Sequence, residues 1–141
     1  MTTAARLNVR LRSFEGMPKQ EGLAHDRAKR KVARAGRRSA KTTTMSQLAV
    51  ERFMEGQRVL YATPTADQIG RFWFEVKRAL VEPLTRRQLY LNETQHIIEV
   101  ASTETRIRAK TAFNADTLRG DYADLLILDE WQLMDEDAWE L

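Results

Sequence analysis

The chain has 141 residues, 43% hydrophobic and 30% charged, which suits one globular domain with its own core. It contains no cysteine, so a disulfide framework and a Cys-based zinc site are excluded, and His25 and His96 alone make no metal cluster. No apolar run approaches the roughly 18 residues of a membrane span, so neither a membrane nor a secreted protein is expected.

The net charge of +3 is unevenly spread. Residues 1–44 hold twelve Lys/Arg against three acids, a balance of +9, whereas residues 121–141 hold eight acids and no base. A basic front suits phosphate or nucleic-acid contacts, and a solvated basic face is the plainer alternative.

In chain order, residues 1–19 read as an irregular basic arm interrupted by Gly16 and Pro18. Met1–Arg12 reads as an ordinary basic leader rather than a targeting peptide. The pattern predicts a short helix over Gln20–Lys29 and a short strand over Lys31–Ala35 running into Gly36. Lys41–Glu55 reads as a helix with Leu48, Val50, Phe53 and Met54 on its apolar side and Gly56 as its stop. Arg58–Ala62 is a strand closed by Thr63-Pro64. Asp67 is placed as the cap of a helix running to about Val81 and ended by Pro83. There Ile69, Phe72, Trp73, Val76 and Leu80 recur at helical spacing, so Phe72 and Trp73 belong to the core and Phe74 faces outward.

His96–Val100 and Arg106–Ala109 form a predicted hairpin joined through Ser102–Glu104. A loop through Asn114–Gly120 follows, then a short buried strand over Leu125–Leu128. Asp135 opens a last helix. Strands alternating with helices predict an α/β fold with a mostly parallel sheet.

Ala35-Gly36-Arg37-Arg38-Ser39-Ala40-Lys41-Thr42 follows the P-loop pattern of Gly, four residues, Gly, Lys, then Ser or Thr, with Ala35 and Ala40 at the two Gly positions. The pattern has a physical reason. Successive backbone N–H groups point inward on phosphate oxygens, and the following helix adds its positive end. Lys41 would reach the β- and γ-phosphates of ATP, and Thr42 would ligate Mg²⁺. Ala40 brings a methyl group to a backbone that must approach phosphate closely. The alternative is a basic loop ahead of a helix.

Leu125-Leu126-Ile127-Leu128-Asp129-Glu130 supplies the other half. An apolar strand delivers carboxylates rigidly to its carboxyl end, where ligands bind in open α/β sheets. Asp129 would hold Mg²⁺, mainly through water, and Glu130 would polarise the attacking water as general base. Two exposed acids after a strand are the alternative.

With these residues in place, the chain resembles the large terminase subunit of tailed bacteriophages, the ATPase of the DNA-packaging motor. The resemblance runs from about Pro18 to Leu141. It rests on Gly36–Thr43 as an Arg-containing P-loop, on Val59–Thr65 as the strand after the P-loop helix, and on Leu118-Arg119-Gly120 ahead of Asp129-Glu130. It implies a P-loop NTPase three-layer fold, with residues 20–141 as a partial ATPase domain.

The resemblance also implies residue roles. Gln20 would recognise adenine. Gly36, Arg37, Arg38, Ser39, Ala40, Lys41, Thr42 and Thr43 would hold the nucleotide. Arg37 would act on the γ-phosphate in cis, and Arg119 would be an arginine finger presented to a neighbouring subunit. The alternative for Arg119 is a salt bridge to Asp116 or Asp121. Trp131 departs from the family's small residue and reads as packing.

Implied partners are double-stranded DNA, further copies in a ring on a portal protein, and a small terminase subunit. The implied location is the cytoplasm of the infected host, transiently at the procapsid. The chain stops about ten residues beyond Glu130, which predicts a C-terminally truncated ATPase domain without the nuclease domain that normally follows. Three other readings stay open: a nucleotide-binding remnant without turnover, a helicase-like DNA translocase, and a basic DNA-binding module that uses no nucleotide.

Overall fold

Arg58–Thr63 (β1) is the strand around which the other elements are arranged, and all but its first residue are buried. The computed structural model describes residues 7–11, 14–36, 40–112, 118 and 120–134. Its other elements are α1 (Pro18–His25), α2 (Lys41–Met54), α3 (Ala66–Ala79), α4 (Val81–Thr85), β2 (Leu89–Asn92), β3 (Ile97–Val100), β4 (Arg106–Thr111), β5 (Leu125–Leu128) and a 3₁₀ turn at Trp131–Leu133.

The sheet order is β2-β3-β4-β1-β5. β1 pairs in parallel with both β4 and β5, and β3 runs antiparallel to β2 and β4. β3 alone is therefore reversed, and the sheet is mostly parallel, as expected. The β3–β4 hairpin falls where the sequence places it. β2 is an addition: Leu-Tyr-Leu-Asn pairs with β3, and the Asn92 side chain accepts from the backbone N–H groups of Thr94 and Gln95 to close the turn.

Alternation along β1 sends Val59 and Tyr61 to one face and Leu60 and Ala62 to the other. The first face meets α2 and α3, where Ala49, Val50, Phe53, Ile69, Phe72, Trp73 and Val76 close the main core. Phe72 and Trp73 are core residues and Phe74 is exposed, as the spacing predicts. Gly56, at φ +85°, ends α2: its N–H bonds to Phe53 O and that of Gln57 to Arg52 O. This paired closure satisfies the last carbonyls and needs a left-handed residue. Leu7 and Val9 of the arm pack on the same core, and Arg10 N bonds to Ala79 O at 2.9 Å.

Several expectations change. Lys31–Ala35 forms no strand; Val32 is 61% exposed and no ladder partner holds this segment among the described residues. The helix after β1 begins with Thr65 at its cap position, and Asp67 sits in the first turn, where its charge complements the helix dipole. That helix stops at Ala79, and Pro83 lies inside the separate short α4. β5 is an edge strand rather than a buried one: β1 is its one neighbour among the described residues, and Leu126 is 37% exposed. Among the described residues, the far face of the sheet is covered by Ala112, Leu118, Ala123 and Met134 over Leu60, Ala62 and Leu128, and the helix expected from Asp135 lies outside the described residues.

Candidate functional site

The parallel register of β1 and β5 decides where the acids go. Asp124 binds Arg58 at one end: Arg58 N donates to the Asp124 carboxylate and Asp124 N to Arg58 O, each at 2.8 Å. At the other end Asp129 N donates to Ala62 O at 2.9 Å. Asp129 follows Ile127 by two residues and so emerges on the same face, toward α2. It is buried, whereas Glu130 is half-buried.

α2 brings Lys41 to them. Its ammonium lies 2.5 Å from Glu130 Oε1 and 3.1 Å from Asp129 Oδ1. The Asp129 contact is an ion pair without hydrogen-bond alignment, so the buried Oδ1 has no donor. Tyr61 O–H donates to the other oxygen, Oδ2, at 2.7 Å. Gln132 Nε2 donates to Glu130 Oε2 at 2.5 Å.

These contacts set the protonation states. Burial alone pulls the Lys41 pKa down, but the contacts with Glu130 and Asp129 outweigh it and hold the pKa above the ordinary value. The bond from Lys41, then that from Gln132, holds the Glu130 carboxyl below the usual range. Burial, then the bond to Asp129, pushes the Tyr61 phenol far above its usual value, so it remains a donor.

The backbone is unusual at both ends of the Lys41–Glu130 contact. Ala40 has φ +58° and Glu130 has φ +53°, both in left-handed conformations that L-residues seldom adopt. Ala40 thus adopts a conformation that glycine favours, and carries its methyl there. Ala40 is also the cap residue of α2 and makes no capping side-chain hydrogen bond. Thr42 and Thr43 lie half-buried in that first turn.

The other sequence-derived candidates divide clearly. Gly36 is exposed, with no atom near where a Cβ would point. Gln20 is half-buried on α1, whose last residue His25 bonds to Glu51 of α2 at 2.9 Å. Arg37, Arg38, Ser39 and Arg119 lie outside the described residues, as does Asp116. The Asp121 carboxylate, one offered partner for Arg119, accepts from Arg108 at 2.8 Å and Lys110 at 2.6 Å. Trp131 is 42% exposed, so the packing reading holds for only part of its surface.

Sequence reasoning missed Tyr61 and Gln132. A phenol inside an apolar strand was the available signal, because a buried tyrosine O–H needs an acceptor. Among the described residues no group of three or more His, Cys, Asp or Glu could hold a metal by itself.

No protein-family model matches the chain, and no curated protein matches it. Among solved structures, the large terminase ATPase domain of Thermus phage P74-26 superposes with a TM-score of 0.73 at 23% identity. The match covers 96% of this chain and 63% of that one, so the chain spans less than two thirds of that domain. The two share a fold.

Proposed function

We propose that the chain is the ATP-binding and ATP-hydrolysing part of a DNA-packaging terminase large subunit. One observation carries the reading: the lysine that opens α2 meets both carboxylates at the end of β5, in a fold shared with a terminase ATPase domain. In a P-loop NTPase the same three groups serve one triphosphate.

The donor set fits Mg²⁺. Asp129 Oδ1 is a buried carboxylate oxygen with no hydrogen-bond donor, already facing a positive charge. Asp129 and Thr42 would hold the ion, which screens the charge on the β- and γ-phosphates when bound. Lys41 would leave the acids for the phosphate oxygens, aided by the positive N-terminal end of α2. Glu130, freed from Lys41, would orient and deprotonate water. Arg37 would add charge in cis and Arg119 in trans, and Gln20 would read adenine.

In this reading hydrolysis drives duplex DNA into a capsid. The subunits form a ring on a portal protein with a small terminase subunit, in the host cytoplasm. The exposed basic segment Arg27–Arg34 supports a polyanionic partner.

The test is binding of a fluorescent ATP analogue to the chain and to Lys41→Ala. The substitution should abolish binding. Equal binding by the two proteins would remove the nucleotide site from Lys41.

A further inference from the structure

Tyr61 has no role in the reading above, yet it is the most completely built contact of the site. It is 0% exposed, and its ring stacks on Phe72 of α3 at 3.9 Å and 5°. Its backbone is fixed on both sides, opposite Ala109 of β4 and Ile127 of β5. The phenol donates to Asp129 Oδ2 at 2.7 Å, and the Thr63 side chain is a second hydrogen-bonding neighbour of the hydroxyl.

A carboxylate has two equivalent oxygens and turns readily about its last bond. An aspartate at the end of an edge strand therefore does not choose which oxygen it presents. Here the choice is made. With Oδ2 engaged by Tyr61, Oδ1 faces the position that the Lys41 ammonium occupies.

We propose that Tyr61 is a positioning residue for Asp129, orienting one carboxylate oxygen toward the cation that accompanies a bound triphosphate. This rests on the nucleotide reading above. A neutral donor suits the task, because it orients the carboxylate without cancelling the charge that a divalent cation needs. Lysine or arginine at position 61 would compete with that cation. Phenylalanine would leave the carboxylate free to rotate.

The experiment measures affinity for a fluorescent ATP analogue in Mg²⁺ and in EDTA, using the chain, Tyr61→Phe and Phe72→Leu. The ratio of the two affinities is the Mg²⁺ enhancement. Tyr61→Phe keeps the stacked ring and loses only the hydroxyl. It should bind the analogue in EDTA as the chain does, with the Mg²⁺ enhancement reduced about 10-fold. Phe72→Leu loosens the packing without touching the hydroxyl and should keep the enhancement.

An unchanged enhancement in Tyr61→Phe would overturn the proposal, as would an equal loss in Phe72→Leu. A matched fall of Tyr61→Phe affinity in both buffers would mean damage to the fold and would also overturn it. If the unsubstituted chain binds the analogue in neither buffer, the nucleotide reading itself fails. That result is distinct from binding with an unaltered enhancement.

Discussion

Lys41 and Glu130, 89 residues apart in the chain, meet at 2.5 Å, with a left-handed backbone at each end of the contact. Ala40 turns the chain so that Lys41 opens α2, and Glu130 itself turns the chain out of β5. Such conformations cost about 1–3 kcal/mol each and persist where the surroundings over-determine them. The ammonium also neutralises one of the two acidic charges at the end of β5.

That neutralisation predicts an order of binding. Mg²⁺ alone should leave the melting temperature of the chain unchanged, because Lys41 already occupies the cation position. Lys41→Met should be less stable by about 1–3 kcal/mol, having left a buried carboxylate without its partner. Millimolar Mg²⁺ should then raise the melting temperature of that variant by about 3 °C. An equal response of both proteins to Mg²⁺ would contradict the stand-in role of Lys41.

Ala40→Gly should stabilise the chain by about 0.5–1 kcal/mol. Relief of the left-handed strain, about 1–2 kcal/mol, exceeds the entropy that glycine adds to the unfolded state. Ala40→Val should do the opposite, because a β-branched residue is a severe outlier at φ +58°. Urea midpoints give the ranking, and a valine variant as stable as the glycine one would refute the assigned backbone.

Glu130→Gln should keep the affinity for an ATP analogue while phosphate release falls about 10²–10⁴-fold. The amide preserves size and some hydrogen bonding but cannot accept a proton. Phosphate release at the original rate would assign the base elsewhere.

Asp121 predicts a pH dependence. Burial alone would raise its pKa, but the bond from Lys110 and the charge of Arg108 outweigh it, so the folded value lies below the ordinary one. A depressed carboxyl contributes stability above the unfolded pKa and loses that contribution as pH falls through the folded value. Asp121→Asn should therefore cost about 1–3 kcal/mol at pH 7. The gap to the original chain should stay constant above about pH 5 and close below about pH 4. Urea unfolding across pH 2–7 measures it, and a gap that widens in acid would reverse the assignment.

The features legible in the sequence are local ones. Lys41 at a helix start and two acids after Leu-Leu-Ile-Leu are each readable within a few residues, and the structure joins them. Gly56 was readable as a helix stop because only a left-handed residue closes that turn. The spacing of Phe72, Trp73 and Val76 was readable because helical periodicity reports burial directly.

What escaped depends on pairing between distant segments. Tyr61 meets Asp129 across 68 residues, and only the register of β1 and β5 brings them together. β2 is four residues long with Tyr90 exposed, too short for its alternation to stand out. Lys31–Ala35 has one β-branched residue, Val32, among charged residues and alanines, so its pattern supports a strand only weakly, and pattern cannot say whether a neighbour is there to pair with.

The parallel pairing of β1 and β5 also acts as a fidelity check. Because side chains alternate between faces, a slip of β5 by one residue would leave Tyr61 stacked on Phe72 but point Asp129 away from both the phenol and Lys41. The same slip would separate Asp124 from Arg58. A chain that pairs β5 in the wrong register thus does not bring Asp129 to Lys41. Correct strand pairing and assembly of the lysine–carboxylate cluster are therefore a single event.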